Sequence, residues 1–268
     1  MKGGDILIEC LKAQGVQHIF GMPGTQNIQI YDSLLRRGSD TIKHYLVRHE
    51  NAATLMADGY ARSSGEVGVA LTVPGPGASN ASTGLLEAFT DCVPVLLITG
   101  QSDSSLYARD PSKMFHGLNQ MRFFEPITKY CAIAETIADI PVVVENAFQA
   151  MRTGRPGPTM LEFPMDVITG ENGVTIPNRV QRHSKEPAKR DDIQSVIQQL
   201  QKASKPIILV GSAVIHSYAM NELQNLAEKL NAPVAVTRCA KGALNEGHPL
   251  ALQNISGFQA KQAMQVAD

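Results

Sequence analysis

The sequence predicts an α/β fold in which a mainly parallel sheet is covered by helices on both faces. Three observations carry this. Short extended segments alternate with amphipathic helical segments through the first ~165 residues. Residues 67–73 and 95–99 are nearly unbroken apolar runs rich in β-branched residues, the pattern of strands buried on both faces. Corners bearing glycine and proline, Gly21-Met22-Pro23-Gly24 and Pro74-Gly75-Pro76-Gly77, stand where a strand hands over to a helix. Such alternation implies a doubly wound parallel sheet.

In chain order, residues 5–14 predict an amphipathic helix, with Ile6, Leu7, Cys10 and Leu11 on one face and Gly15 as its stop. Residues 18–20 read as a strand, 28–37 as a second helix, 42–47 as a strand and 49–64 as a third helix. The run 67–73 leads into a helix over 78–91, and 95–99 is the next buried strand. Residues 140–153 are helical and 159–163 extended.

Residues 169–189 break the pattern. They carry Gly170, Gly173, Pro177 and Pro187 among Arg179, Arg182, Lys185 and Lys189, and read as a solvated linker closing a first domain of residues 1–168. A second, Rossmann-like α/β unit occupies 190–268: helix 193–201, strand 206–211, helix 220–230, strand 233–237 and a helix starting at 260. Two strands are too little sheet to close a core, so this second domain is expected to be incomplete, as in a truncated chain.

Composition narrows the function. A length of 268 suggests two domains at about 150 residues each. A net charge of -1 and the lack of a basic stripe argue against a nucleic-acid partner. No apolar run approaches the ~18 residues of a membrane span, and Met1-Lys2-Gly3-Gly4-Asp5 is not a signal-peptide start. Cys10, Cys92, Cys131 and Cys239 are scattered, as expected of small apolar residues in a reducing cytoplasm. The seven histidines show no His-x-x-x-His pairing, so no protein-built metal site is expected in this chain.

Glu50 follows the 42–47 strand and opens the helix after it. A carboxylate there offsets the helix dipole, or handles a proton at a strand's carboxyl end, where open α/β sheets bind ligands. Position alone leaves both readings open. The loop Thr72-Val73-Pro74-Gly75-Pro76-Gly77-Ala78-Ser79-Asn80 lets backbone approach a ligand. Asn80 stands where a dinucleotide fingerprint needs its third glycine, and no Gly-Lys-Ser/Thr follows to make a P-loop. A generic dinucleotide-binding oxidoreductase is thereby disfavoured. The corners at Gly21, Glu50 and Gly75 would face one side of one sheet, forming a cleft with a single carboxylate at its base.

Five segments fall in order at a familiar spacing: Gly21-Met22-Pro23-Gly24, Val47-Arg48-His49-Glu50, Ala57-Asp58-Gly59-Tyr60-Ala61-Arg62, Gly75-Pro76-Gly77-Ala78-Ser79-Asn80 and Gly154-Arg155-Pro156-Gly157-Pro158. Together they resemble the thiamine-diphosphate-dependent decarboxylases and carboligases, on the acetolactate-synthase-like branch. The resemblance continues into Lys205-Pro206-Ile207-Ile208-Leu209-Val210-Gly211 and Lys241-Gly242-Ala243-Leu244.

The resemblance implies that residues 1–168 bind the cofactor's pyrimidine and that 190–268 are part of a central domain. It gives Glu50 the catalytic role of bonding N1′ of the aminopyrimidine, so that proton sharing there sets up deprotonation of thiazolium C2. Pro23, Gly24, Pro74, Gly75 and Asn80 would line the pyrimidine. The Gly-Asp-Gly…Asn element that holds Mg²⁺ and the cofactor's phosphates is not found in this chain. Mg²⁺ is therefore expected on a missing diphosphate-binding domain. A 2-oxo acid substrate and a homodimer or dimer of dimers follow from the same resemblance, as does a place in branched-chain amino-acid biosynthesis for this branch.

Departures from the pattern leave choices open. Phe115-His116-Gly117 replaces the Phe-Gln-Glu of acetolactate synthases. His116 reads either as a proton donor or substrate contact titrating near neutrality, or as a surface-loop histidine. The following Gly117-Leu118-Asn119-Gln120 fits the benzaldehyde-lyase and oxalyl-CoA decarboxylase branches equally well. Lys129 matches a lysine near the substrate channel, or a solvated strand end. Arg155 matches a flavin-contacting arginine, in a motif that flavin-free members share. Gly211 and Ser212 open a central-domain helix that would suit a nucleotide phosphate. FAD, ADP and no nucleotide all fit. A non-catalytic subunit needing a separate diphosphate-binding chain is the remaining alternative.

Overall fold

The computed structural model describes residues 1–106, 110, 113–180 and 188–267. The chain divides into two compact units, Met1–Ser184 and Lys185–Asp268. Of the linker expected at residues 169–189, residues 181–187 lie outside the described residues.

The first unit is a six-stranded parallel sheet of order β2-β1-β3-β4-β6-β5. Its strands are β1 (His18–Gly21), β2 (Lys43–Leu46), β3 (Gly68–Thr72), β4 (Val95–Gln101), β5 (Tyr130–Ile133) and β6 (Thr159–Pro164). β3, β4 and β6 are buried along their whole lengths, as their unbroken apolar sequences require.

Each sheet face covers its own core. On one face α1 (Gly3–Ala13), α2 (Ile28–Ser33) and α6 (Asp139–Arg152) bury large side chains, including Ile6, Leu7, Leu11 and Phe148, against Val69, Leu71 and Ile98. On the other, α3 (Glu50–Ser64) and α4 (Pro76–Asp91) carry Ala53, Ala57, Ala61, Ala78, Ala81 and Ala88 into the core. These small residues let the two helices approach closely. A Cβ on Gly84 would come within 2.8 Å of the Leu55 backbone nitrogen, and Thr54 Oγ1 donates to the Ala81 carbonyl at 2.9 Å.

Local departures from the sequence reading have visible causes. The helix expected over 28–37 ends as α-helix at Ser33 and widens into a π-turn, Leu34–Gly38, with Arg36 and Arg37 at 2.8 and 3.7 Å from the Asp5 carboxylate. Ile127 ends a 3-10 turn, Glu125–Ile127, and the strand β5 starts one residue after Lys129. A short helix, α5 (Gln120–Phe124), precedes it, its Asn119 cap accepting from the Arg122 nitrogen. After α7 (Met165–Thr169), the segment read as solvated linker packs back on this unit. Met1 and Asn172 bond each other's backbone, and Val180 is buried with its amide donating to Gln14 Oε1 at 2.9 Å.

Asp5 offers a stability test. Burial alone would raise its carboxyl. Hydrogen bonds from Arg36 and Ser33, with the charges of Arg36 and Arg37, outweigh that and hold it below the ordinary 3.8. A carboxyl lowered on folding contributes stability above its unfolded value and loses it as pH falls through the folded one. Asp5→Asn is expected to destabilise the fold at pH 7, by an amount that shrinks as pH is lowered towards 3. Urea unfolding across that range measures it, and a pH-independent loss would contradict the assignment.

The second unit has helices α8 (Arg190–Lys202), α9 (Ala213–His216), α10 (Met220–Leu230) and α11 (Phe258–Val266) with a parallel sheet of order β7-β8-β9. Its strands are Ile208–Val210, Val234–Val236 and Ala251–Asn254. The third corrects the two-strand reading. Its Ala-Leu-Gln-Asn sequence has little β-branched content, and its pairing with β8 is broken by a register shift.

Candidate functional site

The first unit's strand order turns back on itself between β1 and β3: from β1 the chain goes outward to β2, then returns to β3 on the other side. Ligand sites of open α/β sheets lie outside the carboxyl ends of the strands at such a reversal. The three corners singled out in sequence all stand at these ends. Gly21 closes β1, Glu50 begins the helix after β2, and Pro74-Gly75 follow β3.

Glu50 is only 7% exposed, so its carboxylate is buried at this end of the sheet. His49 caps its helix, with Nδ1 accepting from the Asn51 backbone nitrogen at 3.2 Å. The α4 helix begins two residues earlier than expected, with Pro76 at its first position and Gly75 at φ +61° before it. That extra half-turn brings Asn80 one turn into α4, where its Nδ2 donates to Glu50 Oε2 at 3.1 Å.

The glycines shape the space. A Cβ on Gly77 would lie 3.2 Å from Glu50 Oε1 and 2.5 Å from a Val73 methyl, and one on Gly24 would lie 2.4 Å from the other Val73 methyl. Val73 is thus seated between the two corners. The Gly24 loop is fixed by Asn27, which is buried, accepts from the Gly24 nitrogen at 2.7 Å and donates to the Met22 carbonyl at 3.2 Å. Pro74 and Gly75 are buried, Gly24 half-buried, and Pro23 and Asn80 exposed.

The structure brings His116 to the same place. A Cβ on Gly75 would lie 2.4 Å from the His116 carbonyl oxygen, so the two backbones touch. His116 itself holds φ +57°, and its ring stacks on the exposed Phe115 at 3.9 Å between centroids. Beside it, toward β4, β5 and β6, opens a cavity of about 510 Å³ lined by Gln101, Gly117, Gln120, Ile133 and Glu162, among others. Gln101 Nε2 donates to Glu162 Oε1 at 2.7 Å there, both side chains being buried.

Two expected residues are not brought to this crevice within the unit. Lys129, read as a channel residue, stands at the amino edge of β5 and β6. Its ammonium donates to the Ala150 carbonyl and, at 2.6 Å, to the Thr153 carbonyl at the end of α6. Burial lowers its pKa. Arg155 is on the same edge, its Nε donating to Cys92 Sγ at 2.7 Å. In the second unit, Gly211 and Ser212 precede α9, a helix of four residues, Ala213–His216. Among the described residues no cluster of His, Cys, Asp or Glu could hold a metal, and no helix is long and apolar enough to cross a membrane.

Sequence reasoning missed Gln26 and Ser102. Gln26 lies two residues beyond the Gly21-to-Gly24 corner, and its buried amide joins Ser102 and His116. A polar residue so close to a corner at a strand's carboxyl end was the available signal.

Comparison with known proteins follows the same division. Residues 1–123 match the family described as "Thiamine pyrophosphate enzyme, N-terminal TPP binding domain", and residues 193–268 match "Thiamine pyrophosphate enzyme, central domain". The chain is 38% identical over 279 residues to the acetolactate synthase large subunit of Buchnera aphidicola subsp. Schizaphis graminum, covering 100% of this chain and 48% of that one. It is 41% identical over 256 residues to an acetolactate synthase of Arthrospira platensis, covering 93% of this chain and 44% of that one. With the isozyme 3 large subunit of Escherichia coli K12 it shares 35% identity over 276 residues, 100% of this chain and 47% of the other. The chain spans about half the length of the curated relatives it matches.

Proposed function

The chain belongs to the thiamine pyrophosphate enzymes, and from that premise we propose that its first unit is the pyrimidine-binding half of an acetolactate-synthase-like carboligase. The observation that carries the proposal is the buried Glu50 carboxylate at the reversal between β1 and β3, bonded by Asn80 and faced by Gly77. The residues present fit an aminopyrimidine: the buried Glu50 carboxylate offers a proton partner to one ring nitrogen, and the Pro74-Gly75 corner offers backbone beside it.

When bound, thiamine diphosphate supplies a nucleophilic thiazolium carbon and an electron sink for decarboxylation. The chain's residues do the rest. Glu50 would hold a proton against ring nitrogen N1′, and Asn80 holds its carboxylate through Oε2. Gly75 and Pro74 give the ring backbone and van der Waals contact. His116, next to Gly75, meets the substrate. Val73, pinned between Gly24 and Gly77, excludes water from one wall.

The substrate class proposed is a 2-oxo acid, whose fragment passes to a second carbonyl acceptor. Mg²⁺ and the diphosphate are assigned to a domain outside these residues, and the assembly to a homodimer in the cytoplasm. Gly211, Ser212 and Arg155 remain the flavin candidates, and a flavin absorption band in the purified full-length protein is the test. His116-Gly117 in place of Gln-Glu favours, as a second reading, an acceptor different from that of acetolactate synthases.

Supplying the full-length protein with pyruvate, thiamine diphosphate and Mg²⁺ tests the class. Release of carbon dioxide with formation of a new carbon–carbon bond is expected, and only when the cofactor is present. Cofactor-independent turnover, or none with any 2-oxo acid, would contradict it.

A further inference from the structure

We propose that Gln26 is a positioning residue that fixes the tautomer of His116, making Nε2 the nitrogen that exchanges protons in the crevice. Its catalytic consequence rests on the reading of the crevice as the active site, whereas the tautomer itself does not.

Gln26 is held on both sides. Its side chain is buried, and its backbone carbonyl lies against Gly100 at the end of β4, where a Cβ would approach to 2.0 Å. Its amide Nε2 donates to Ser102 Oγ at 3.1 Å, and its Oε1 faces His116 Nδ1 at 3.1 Å. An amide whose NH₂ is spent on Ser102 presents only an acceptor to the imidazole, so the ring must donate from Nδ1. In the neutral ring Nε2 then carries the lone pair.

Ser102 is anchored as well. Its backbone nitrogen donates to Gln101 Oε1 at 2.8 Å, which turns the other end of that amide toward Glu162 Oε1 at 2.7 Å. Two buried amides and one carboxylate thus follow one another from β6 to His116, joined at Ser102 by its backbone nitrogen on one side and its hydroxyl on the other.

The loop holds the ring in place. His116 keeps a left-handed backbone that a non-glycine residue adopts only where its surroundings impose it. The surroundings here are Gly75 against its carbonyl and Phe115 stacked on its ring. Among the described residues Gln26 is the only hydrogen-bond partner of the imidazole. Nε2 is therefore the nitrogen left to act: it takes one proton from solvent water to give the imidazolium, whose Nδ1–H stays on Gln26, and gives that proton to the acceptor's carbonyl oxygen as the carbon–carbon bond forms.

Nitrogen NMR of histidine-labelled full-length protein, without cofactor, reads the tautomer directly, with His116 assigned by loss of its signal in His116→Asn. The wild type is expected to show a protonated Nδ1 and a bare Nε2. Gln26→Met, similar in size and without an acceptor, is expected to move the proton to Nε2, and Gln26→Glu to return it to Nδ1. With cofactor and 2-oxo acid, Gln26→Met should lose about 10-fold or more in turnover, up to the roughly 10²–10⁴-fold that a positioned acid–base group supplies, with Gln26→Glu recovering part of it. A wild-type ring protonated on Nε2, or a tautomer unmoved by Gln26→Met, overturns the proposal. Should Gln26→Met fail to fold, the wild-type spectrum still decides. Failure of the carboligase reading would appear instead as no cofactor-dependent turnover in the wild type, leaving the tautomer result intact.

Discussion

Glu50→Gln in the full-length protein is expected to lower cofactor-dependent consumption of 2-oxo acid by about 10²–10⁴-fold, the range for losing a positioned acid–base group. The substitution keeps the shape of the side chain and an oxygen for Asn80 Nδ2 to bond, so the first turn of α3 should stand unchanged. What is lost is the capacity to hold a shared proton in a buried position. Thermal unfolding should therefore stay close to that of the wild type, because shape and the bond to Asn80 are kept. Turnover within a few-fold of wild type would remove Glu50 from the mechanism. An equal fall in stability would reassign it to structure.

Gly84→Val is expected to destabilise the first unit by about 1–3 kcal/mol, the usual cost of overpacking a close contact. For a domain of this size each kcal/mol lowers Tm by about 2–4 °C. The cause is local. A Cβ at 84 would sit 2.4 Å from Thr54 Oγ1 and 2.8 Å from the Leu55 nitrogen, and backbone cannot turn aside as a long side chain can. The helices must part, which breaks the Thr54-to-Ala81 hydrogen bond. Parting also pulls Asn80 from Glu50, so thiamine diphosphate turnover in folded protein should drop as well. Calorimetry with activity measured at a temperature where the variant remains folded would check both halves. A variant with unaltered Tm would show that α3 and α4 do not depend on this approach.

The same contact shows what was readable in the sequence. The buried strands at 67–73 and 95–99 announced β3 and β4 because both faces are apolar, leaving no other stable place for them. The corners at Gly21 and Gly75 were legible because glycine and proline at strand ends have few other uses. Glu50 was visible as a position, but its burial depends on small residues in two helices meeting across a distance in sequence. No single-segment periodicity reveals such a meeting.

The misses have a common physical origin. β5 follows closely on a 3-10 turn and β9 carries a register shift, so neither stands out as an extended run with a clear pattern. Lys129 and Arg155 carry charges that motif spacing alone could not place on an edge. Strand direction did that: both precede their strands, and a parallel sheet puts all such residues opposite the carboxyl-end crevice. Gln26 and Ser102 are 76 residues apart and meet only because β1 and β4 end on the same side of the sheet.

The most direct test of Glu50 is exchange of the thiazolium C2 proton of thiamine diphosphate bound to the full-length protein, followed by quenched deuterium exchange and proton NMR. The account predicts rapid exchange in the wild type and a rate lower by at least about 10²-fold in Glu50→Gln, with cofactor still bound in both. Equal exchange rates in the two proteins would contradict the assignment of Glu50 as the cofactor's proton partner.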